Sequence, residues 1–220
     1  MNNAQNKTRA VALISGRGSN LQAIIDATKS SNFPVELVAV LSNRTDAAGL
    51  QRAADAGIAT TVLSHTDFSS RESFDTELRN LIDEFSPDLI VLAGFMRILS
   101  EQFVTHYAGR MMNIHPSLLP EFRGLHTHER AIAEGHQEHG ASVHFVTAEL
   151  DGGPVILQGR VPIKPSDSAD DLAARVLTIE HQIYPLAVRW FAENRISMRD
   201  TTVIFDGHKR ETPIQFNQKS

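Results

Sequence analysis

Short apolar runs alternate with helix-patterned segments along most of this chain, and that alternation limits its fold more than any other feature. Strand-like runs read at 9–14, 35–42, 59–63, 88–93 and 111–115, separated by helical segments at 20–29, 47–56, 70–85 and around 100–108. The run at 88–93, Asp-Leu-Ile-Val-Leu-Ala, is nearly continuous in apolar residues, as a strand covered on both faces must be. Such strands joined through helices predict an α/β fold, a doubly wound and mostly parallel sheet with helices on both faces. The second half breaks the rhythm. Runs at 142–147 and 155–161 are joined by a Gly- and Pro-containing connection too short for a helical crossover, so an antiparallel pair and a mixed sheet are expected. Residues 168–194 read as one long helix, with Ser168 at its N-cap, Asp170 and Asp171 in its first turn, and Pro185 as a candidate kink. A strand, a turn at Asp206-Gly207 and a loose tail from about 208 to 220 are expected to finish the chain. Residues 1–8 are expected to be a flexible polar leader, and 1–220 a single domain without linker or repeat.

Composition narrows the chemistry. There is no cysteine, which excludes disulfides, thiolate metal sites and a cysteine nucleophile, and suits the reducing cytoplasm expected as the location. No apolar run is long enough to span a bilayer, and the polar start lacks the apolar core of a secretory signal. A net charge of -5 with no long basic block argues against an extended nucleic-acid surface. It leaves room for a phosphorylated small molecule, which needs only a local anion pocket.

Two stretches carry candidate chemistry. Ser15-Gly16-Arg17-Gly18-Ser19-Asn20 lies between the first strand and the first helix, where glycines let the backbone turn tightly and aim N–H groups at an anion. It lacks the Lys-Ser/Thr ending of a P-loop and the third glycine of the dinucleotide fingerprint, so a monophosphate fits better than ATP or NAD. A tight turn with Ser19 or Asn20 merely capping the helix is the competing reading. In Asn113-Ile114-His115-Pro116, the amide and imidazole are two apart and share one side of a strand that Pro116 ends. Asp151, before Gly152-Gly153-Pro154, supplies a carboxylate. Together these are equipment for proton transfer and for stabilising an oxyanion at strand ends, where open α/β sheets bind ligands. A neighbouring carboxylate favours the imidazolium of His115, and Asn113 donates without titrating. The competing reading makes Asn113 a loop-satisfying residue and Asp151 an ordinary turn residue; spacing alone does not bring the three together.

The stretch from His115 to His144 is rich in histidine. His126, His128, His136 and His139 can be drawn as metal ligands, but there is no HExxH and no tetrahedral spacing set, so they read as loop and surface histidines and no metal is expected. His144, between Val143 and Phe145 on a strand, reads as a satisfied core histidine. Gly124-Leu125-His126 reads as a flank of the substrate pocket.

The segments LISGRGSNLQAIIDA, DLIVLAGFMRILS, MNIHPSLLP, GASVHFVTAELDGGPVILQ and RVLTIEHQIYP together resemble the phosphoribosylglycinamide formyltransferases, folate-dependent enzymes of de novo purine synthesis. They follow the family's order across nearly the whole chain. The resemblance implies formyl transfer from 10-formyltetrahydrofolate, as cosubstrate, to glycinamide ribonucleotide, without a metal. It implies that the substrate phosphate sits on Gly18, Ser19 and Asn20, and that Glu180, with Leu177, Thr178 and Ile179, holds the ribose or glycinamide end. Folate would lie against Arg71, Met96, Arg97, Ile98, Leu99 and Asn113, and against Thr147, Ala148, Glu149, Leu150 and Asp151. Asn113, His115 and Asp151 would be catalytic. The chain departs from the family pattern slightly, with Arg17 at a variable loop position and at Glu121-Phe122-Arg123-Gly124. The implied partners are small molecules, with no nucleic acid and no membrane, and the expected state is a monomer or homodimer.

Three other readings remain. Methionyl-tRNA formyltransferases share NIHPSLLP but carry an added tRNA-binding domain, for which the length leaves no expected room. Formyltetrahydrofolate hydrolases carry an N-terminal regulatory domain, which is not expected before Arg9. A non-catalytic nucleotide-binding module would explain the glycine loop and leave Asn113, His115 and Asp151 idle.

Overall fold

A computed structural model describes residues 7–217. Five parallel strands form its first half: β1 (Thr8–Ile14), β2 (Val35–Ser42), β3 (Ala59–Val62), β4 (Leu89–Leu92) and β5 (Met111–His115). The helices between them are α1 (Ser19–Thr28), α2 (Ala48–Asp55), α3 (Arg71–Asp83) and α4 (Glu101–His106). After α5 (Thr127–Ala133) come β6 (Glu138–Phe145) and β7 (Val155–Pro162), each antiparallel to the strand before it. The long α6 (Ala169–Ala192) follows, then a small antiparallel sheet of β8 (Ile196–Arg199), β9 (Thr202–Phe205) and β10 (His208–Lys209). Finally β11 (Ile214–Phe216) returns to the main sheet, whose order is β11-β7-β6-β5-β4-β1-β2-β3.

β1 shows why the sheet is covered on both faces. All of Ala10 to Ile14 are fully buried. Ala10, Ala12 and Ile14 face Leu21 and Ile24 of α1 and Val176 and Ile183 of α6, while Val11 and Leu13 face Phe74 and Leu78 of α3 and Phe103 of α4. A period-2 strand with no polar side is the expected product of helices on either face.

α6 is set by its ends and by one close approach. Ser168 and Asp171 form a reciprocal capping box at its start. Gly159 of β7 leaves the space that Ile179 fills; a Cβ there would lie 2.1 Å from Ile179 Cγ2. The Tyr184 hydroxyl reaches the carbonyls of Leu92 and Met112, both at 2.9 Å, and so ties the helix to the ends of β4 and β5. Pro185 lies within α6, as expected.

Three local expectations need correction. The strand read at 142–147 begins four residues earlier, at Glu138, and ends at Phe145. Of the expected leader, Thr8 is already in β1, and residues 1–6 lie outside the described part. The stretch read as a loose tail contains β10 and β11, with Ile214 to Phe216 paired in parallel with Leu157 to Gly159; residues 218–220 lie outside the described part. Among the described residues no helix is long and apolar enough to cross a membrane.

Candidate active site

The chain enters the sheet at β1, builds outward to β3, then crosses back to β4. The loops leaving β1 and β4 therefore diverge, which creates a crevice beyond the strand ends. The glycine loop occupies one side of it. Gly18, at φ 70°, is the N-cap of α1, and no side chain among the described residues caps that helix, so its first N–H groups can meet a ligand. The Cα of Gly18 packs so closely on Gly49 of α2 that a Cβ on Gly18 would lie 2.6 Å from the Gly49 Cα. Gly49 N–H also donates to the Gly16 carbonyl at 3.0 Å, and Arg52 Nε to that of Arg17 at 2.9 Å. The loop is shaped by α2 as much as by its own sequence. Gly49 and Arg52 carry no motif, and nothing in the sequence alone singled them out.

Across the crevice, the structure brings Asn113, His115 and Asp151 together. His115 is buried, with Nε2 at 2.9 Å from the Phe122 carbonyl and Nδ1 at 3.5 Å from Asp151 Oδ2. A carbonyl only accepts, so Nε2 carries a hydrogen; the second ring nitrogen then finds its partner in the carboxylate when the ring is the imidazolium. Asp151 sits at φ 47° in the turn after Glu149, and its Oδ2 also accepts from Gly124 N–H at 2.9 Å. Sequence reasoning left Phe122 aside, although its carbonyl orients the imidazole.

His144 is the other residue whose role spacing did not show. It faces Asn113 directly across the antiparallel β5–β6 pair, and its Nε2 lies 3.2 Å from Asn113 Nδ2. Its Nδ1 is 2.9 Å from the Phe145 carbonyl. Burial pushes its pKa down to about 4, against the opposing pull of the Phe145 carbonyl and of Asp151, so the ring is neutral near pH 7. A neutral ring donating from Nδ1 accepts at Nε2, which sets the direction of the Asn113 amide. One of its two N–H bonds is held by His144 and the other is left to donate elsewhere. His144 is a satisfied core histidine, as expected, and also a brace for Asn113.

The other histidines pack around the loop that carries Phe122. The rings of His136 and His139 lie edge-on to Phe122 at 4.9 and 5.7 Å, and His128 meets His139 at 5.2 Å. His139 is buried, which drives its pKa down to about 4. His126 is exposed beside Glu129. Among the described residues no group of three His, Cys, Asp or Glu side chains is placed to hold a metal ion.

Of the residues implied for substrate binding, Asn20 and Glu180 meet: Asn20 Nδ2 donates to Glu180 Oε2 at 2.6 Å across the α1–α6 contact. Burial raises the Glu180 pKa, and the Asn20 bond only partly opposes this. Ile179 faces Gly159 in the core, Leu177 is half-buried, and Thr178 is exposed with its hydroxyl on the Ala174 carbonyl, so this turn of α6 presents Glu180 to the crevice rather than all four side chains. Met96 (67 % exposed) and Ile98 (53 %) are open to solvent, while Leu99 belongs to the core. The Arg97 guanidinium lies over the Phe74 ring at 5.0 Å, and Arg71 is exposed at the first position of α3. Thr147 is half-buried, Ala148, Glu149 and Leu150 are exposed, and Glu149 pairs with Arg123.

An open α/β sheet thus carries an amide, an imidazole and a carboxylate converging at its strand ends, with the glycine loop opening α1 beyond the end of β1. The chain belongs to the formyl transferase family, whose model matches residues 8–188. It is 59% identical, over 90% of this chain and 94% of the relative, to the phosphoribosylglycinamide formyltransferase of Escherichia coli K12. It is 45% identical over 87% of its length to the human trifunctional purine biosynthetic protein adenosine-3, of which that match covers 19%. The solved structure of phosphoribosylglycinamide formyltransferase from Coxiella burnetii superposes with a TM-score of 0.92 at 50% identity, covering 96% of this chain and all of that one.

Proposed function

We propose that this chain transfers the formyl group of 10-formyltetrahydrofolate to the amine of 5'-phosphoribosylglycinamide, giving formylglycinamide ribonucleotide and tetrahydrofolate in de novo purine biosynthesis. The observation that carries this reading is the imidazole of His115 held between a carbonyl and a carboxylate, beside an asparagine whose amide direction is set by His144. The substrate phosphate rests on Gly18, Ser19 and Asn20, with Glu180 beside the amine end. The folate lies along Arg71 and Met96 to Leu99, and over the turn from Thr147 to Asp151. The residues 1–220 act as one formyltransferase domain in the cytoplasm, as a monomer or homodimer, on small molecules only.

In this mechanism the neutral amine attacks the formyl carbon, and the carbonyl oxygen becomes an oxyanion. The free N–H of Asn113 and the Nε2–H of His115 receive it, the latter exchanging the Phe122 carbonyl for the substrate oxygen while Asp151 stays on Nδ1. The amine gives up one proton as the new C–N bond forms, and the departing folate nitrogen takes one up. His115, charged, gives its proton to the folate nitrogen as the C–N bond to folate breaks, and, now neutral, takes up the proton that the amine releases. Binding both substrates in one crevice supplies the orientation.

The test is formyl transfer by the purified protein with and without glycinamide ribonucleotide. Acceptor-dependent loss of the formyl group supports the reading. Formate release without acceptor would make the protein a hydrolase instead.

A further inference from the structure

The stretch from Met96 to Ser100 lies between β4 and α4 without regular structure of its own, yet both its ends are pinned by buried side chains from distant parts of the chain. At one end Met96 N–H donates to Ser15 Oγ at 2.8 Å. Ser15 in turn donates to Asn43 Oδ1 at 2.6 Å, and Asn43 meets His65 Nδ1 at 3.2 Å. At the other end Ser100 N–H donates to Asp75 Oδ2 at 2.6 Å. Asp75 is only 3 % exposed, and its second oxygen is buried with no hydrogen-bond partner among the described residues. A buried carboxylate with a single bond is costly to keep, and hydrophobic packing on α3 alone would not require one.

We propose that Ser15 and Asp75 are positioning residues that clamp the folate-facing wall of the crevice. Asp75 lies one turn beyond Arg71 on the same helix, so a single element carries one folate-side cation and the anchor for the far end of the wall. Ser15 directly follows the last residue of β1 and opens the glycine loop, so the near end is fixed to the segment that also carries the phosphate site. Its N–H donates to the Gly94 carbonyl at 3.0 Å, which adds a backbone tie at the same point. The clamp thereby sets the distance between the two substrates' supports. This inference rests on the reading that residues 96–99 receive the folate.

The experiment compares Ser15→Ala and Asp75→Ala with the conservative Ser15→Thr and Asp75→Asn, each assayed for both KM values and for amide hydrogen exchange at Met96 and Ser100. Losing one such bond is expected to raise KM for 10-formyltetrahydrofolate about tenfold. KM for glycinamide ribonucleotide is expected to stay within about twofold in the Asp75 variant. Exchange at the freed amide is expected to quicken, and Asp75→Asn, which keeps an acceptor, to restore the folate KM. If Asp75→Ala does not fold, Ser15→Ala and the recovery in Asp75→Asn carry the test. Faster exchange with an unchanged folate KM would overturn the proposal, because the clamp would then serve no donor site. So would equal losses in both KM values for Asp75→Ala. Failure of the underlying reading shows separately, as a wild-type protein with no acceptor-dependent transfer.

Discussion

In the proposed mechanism Asn113 depends on a histidine on the neighbouring strand. A carboxamide free to flip presents its oxygen to a developing oxyanion as readily as its N–H; the neutral, buried His144 removes that choice. His144→Leu is therefore expected to lower kcat about tenfold or more while leaving KM for both substrates nearly unchanged, measured by steady-state kinetics. Glu180 is a second residue whose environment predicts behaviour. Its raised pKa means that the folded state holds a proton the unfolded state has lost, so its contribution is intact below about pH 4.5 and declines as pH rises through its folded pKa. Glu180→Gln is expected to raise Tm at pH 8 relative to wild type more than at pH 4, and to weaken glycinamide ribonucleotide binding at least about tenfold. Melting curves and titration calorimetry check the two halves. At this scale the sequence alone showed Asn113 and His115 as a candidate pair, because they are two apart on a strand, and offered Asp151 as a carboxylate without bringing it to them. It did not show His144 or Phe122, because their roles arise from an antiparallel register and a backbone carbonyl, neither of which has a residue signature. Arg71 and Glu180 came only through family resemblance; as residues they look like ordinary helix charges.

The elements were legible where hydrophobic period and length agreed. β1, β4 and α6 are long or strongly apolar, and their positions follow from the pattern. α5 was not read: it has seven residues, few of them apolar, and its N-cap, His126, is in the left-handed region without a capping side chain. β11 was missed because three residues, Ile-Gln-Phe, carry almost no period, and their partner is more than fifty positions back in the chain. The contact between α2 and the glycine loop belongs to this scale too. A methyl group on Gly49 would lie 2.6 Å from Ile14 Cδ1 and 3.2 Å from the Gly18 Cα, so the Ile14 side chain must swing and α2 and the loop must part by a few tenths of an ångström. Gly49→Ala is expected to raise KM for glycinamide ribonucleotide more than KM for the folate and to lower Tm, since overpacking of this kind costs about 1–3 kcal/mol. Equal effects on both KM values would show that the loop does not shape the phosphate site.

For the molecule as a whole, two buried histidines predict how it fails in acid. His139 and His144 are both driven down to about 4 by burial, while in the unfolded chain they titrate near their ordinary 6.5. The unfolded state therefore binds more protons at these two rings as pH falls through this interval; the stability they contribute is full above about pH 6.5 and declines toward pH 4. His139→Gln is expected to flatten that decline in a series of thermal melts. A slope identical to wild type would show that His139 does not titrate on unfolding. The same burial keeps the loop that carries Phe122 packed, which links the acid response to the site. The mixed sheet is expected from the short connection between the runs 142–147 and 155–161, whereas the return of the chain to the sheet edge at β11 is not, since distant pairing leaves little trace in local sequence.

The most direct measurement is the chemistry-limited rate of formyl transfer, by rapid quench, for wild type, His115→Ala, Asn113→Ala and the double variant. Each single change should cost about 100-fold or more. The double variant should lose less than the product of the two, because both groups serve one oxyanion. A His115→Ala protein transferring formyl groups at close to the wild-type rate would contradict the account.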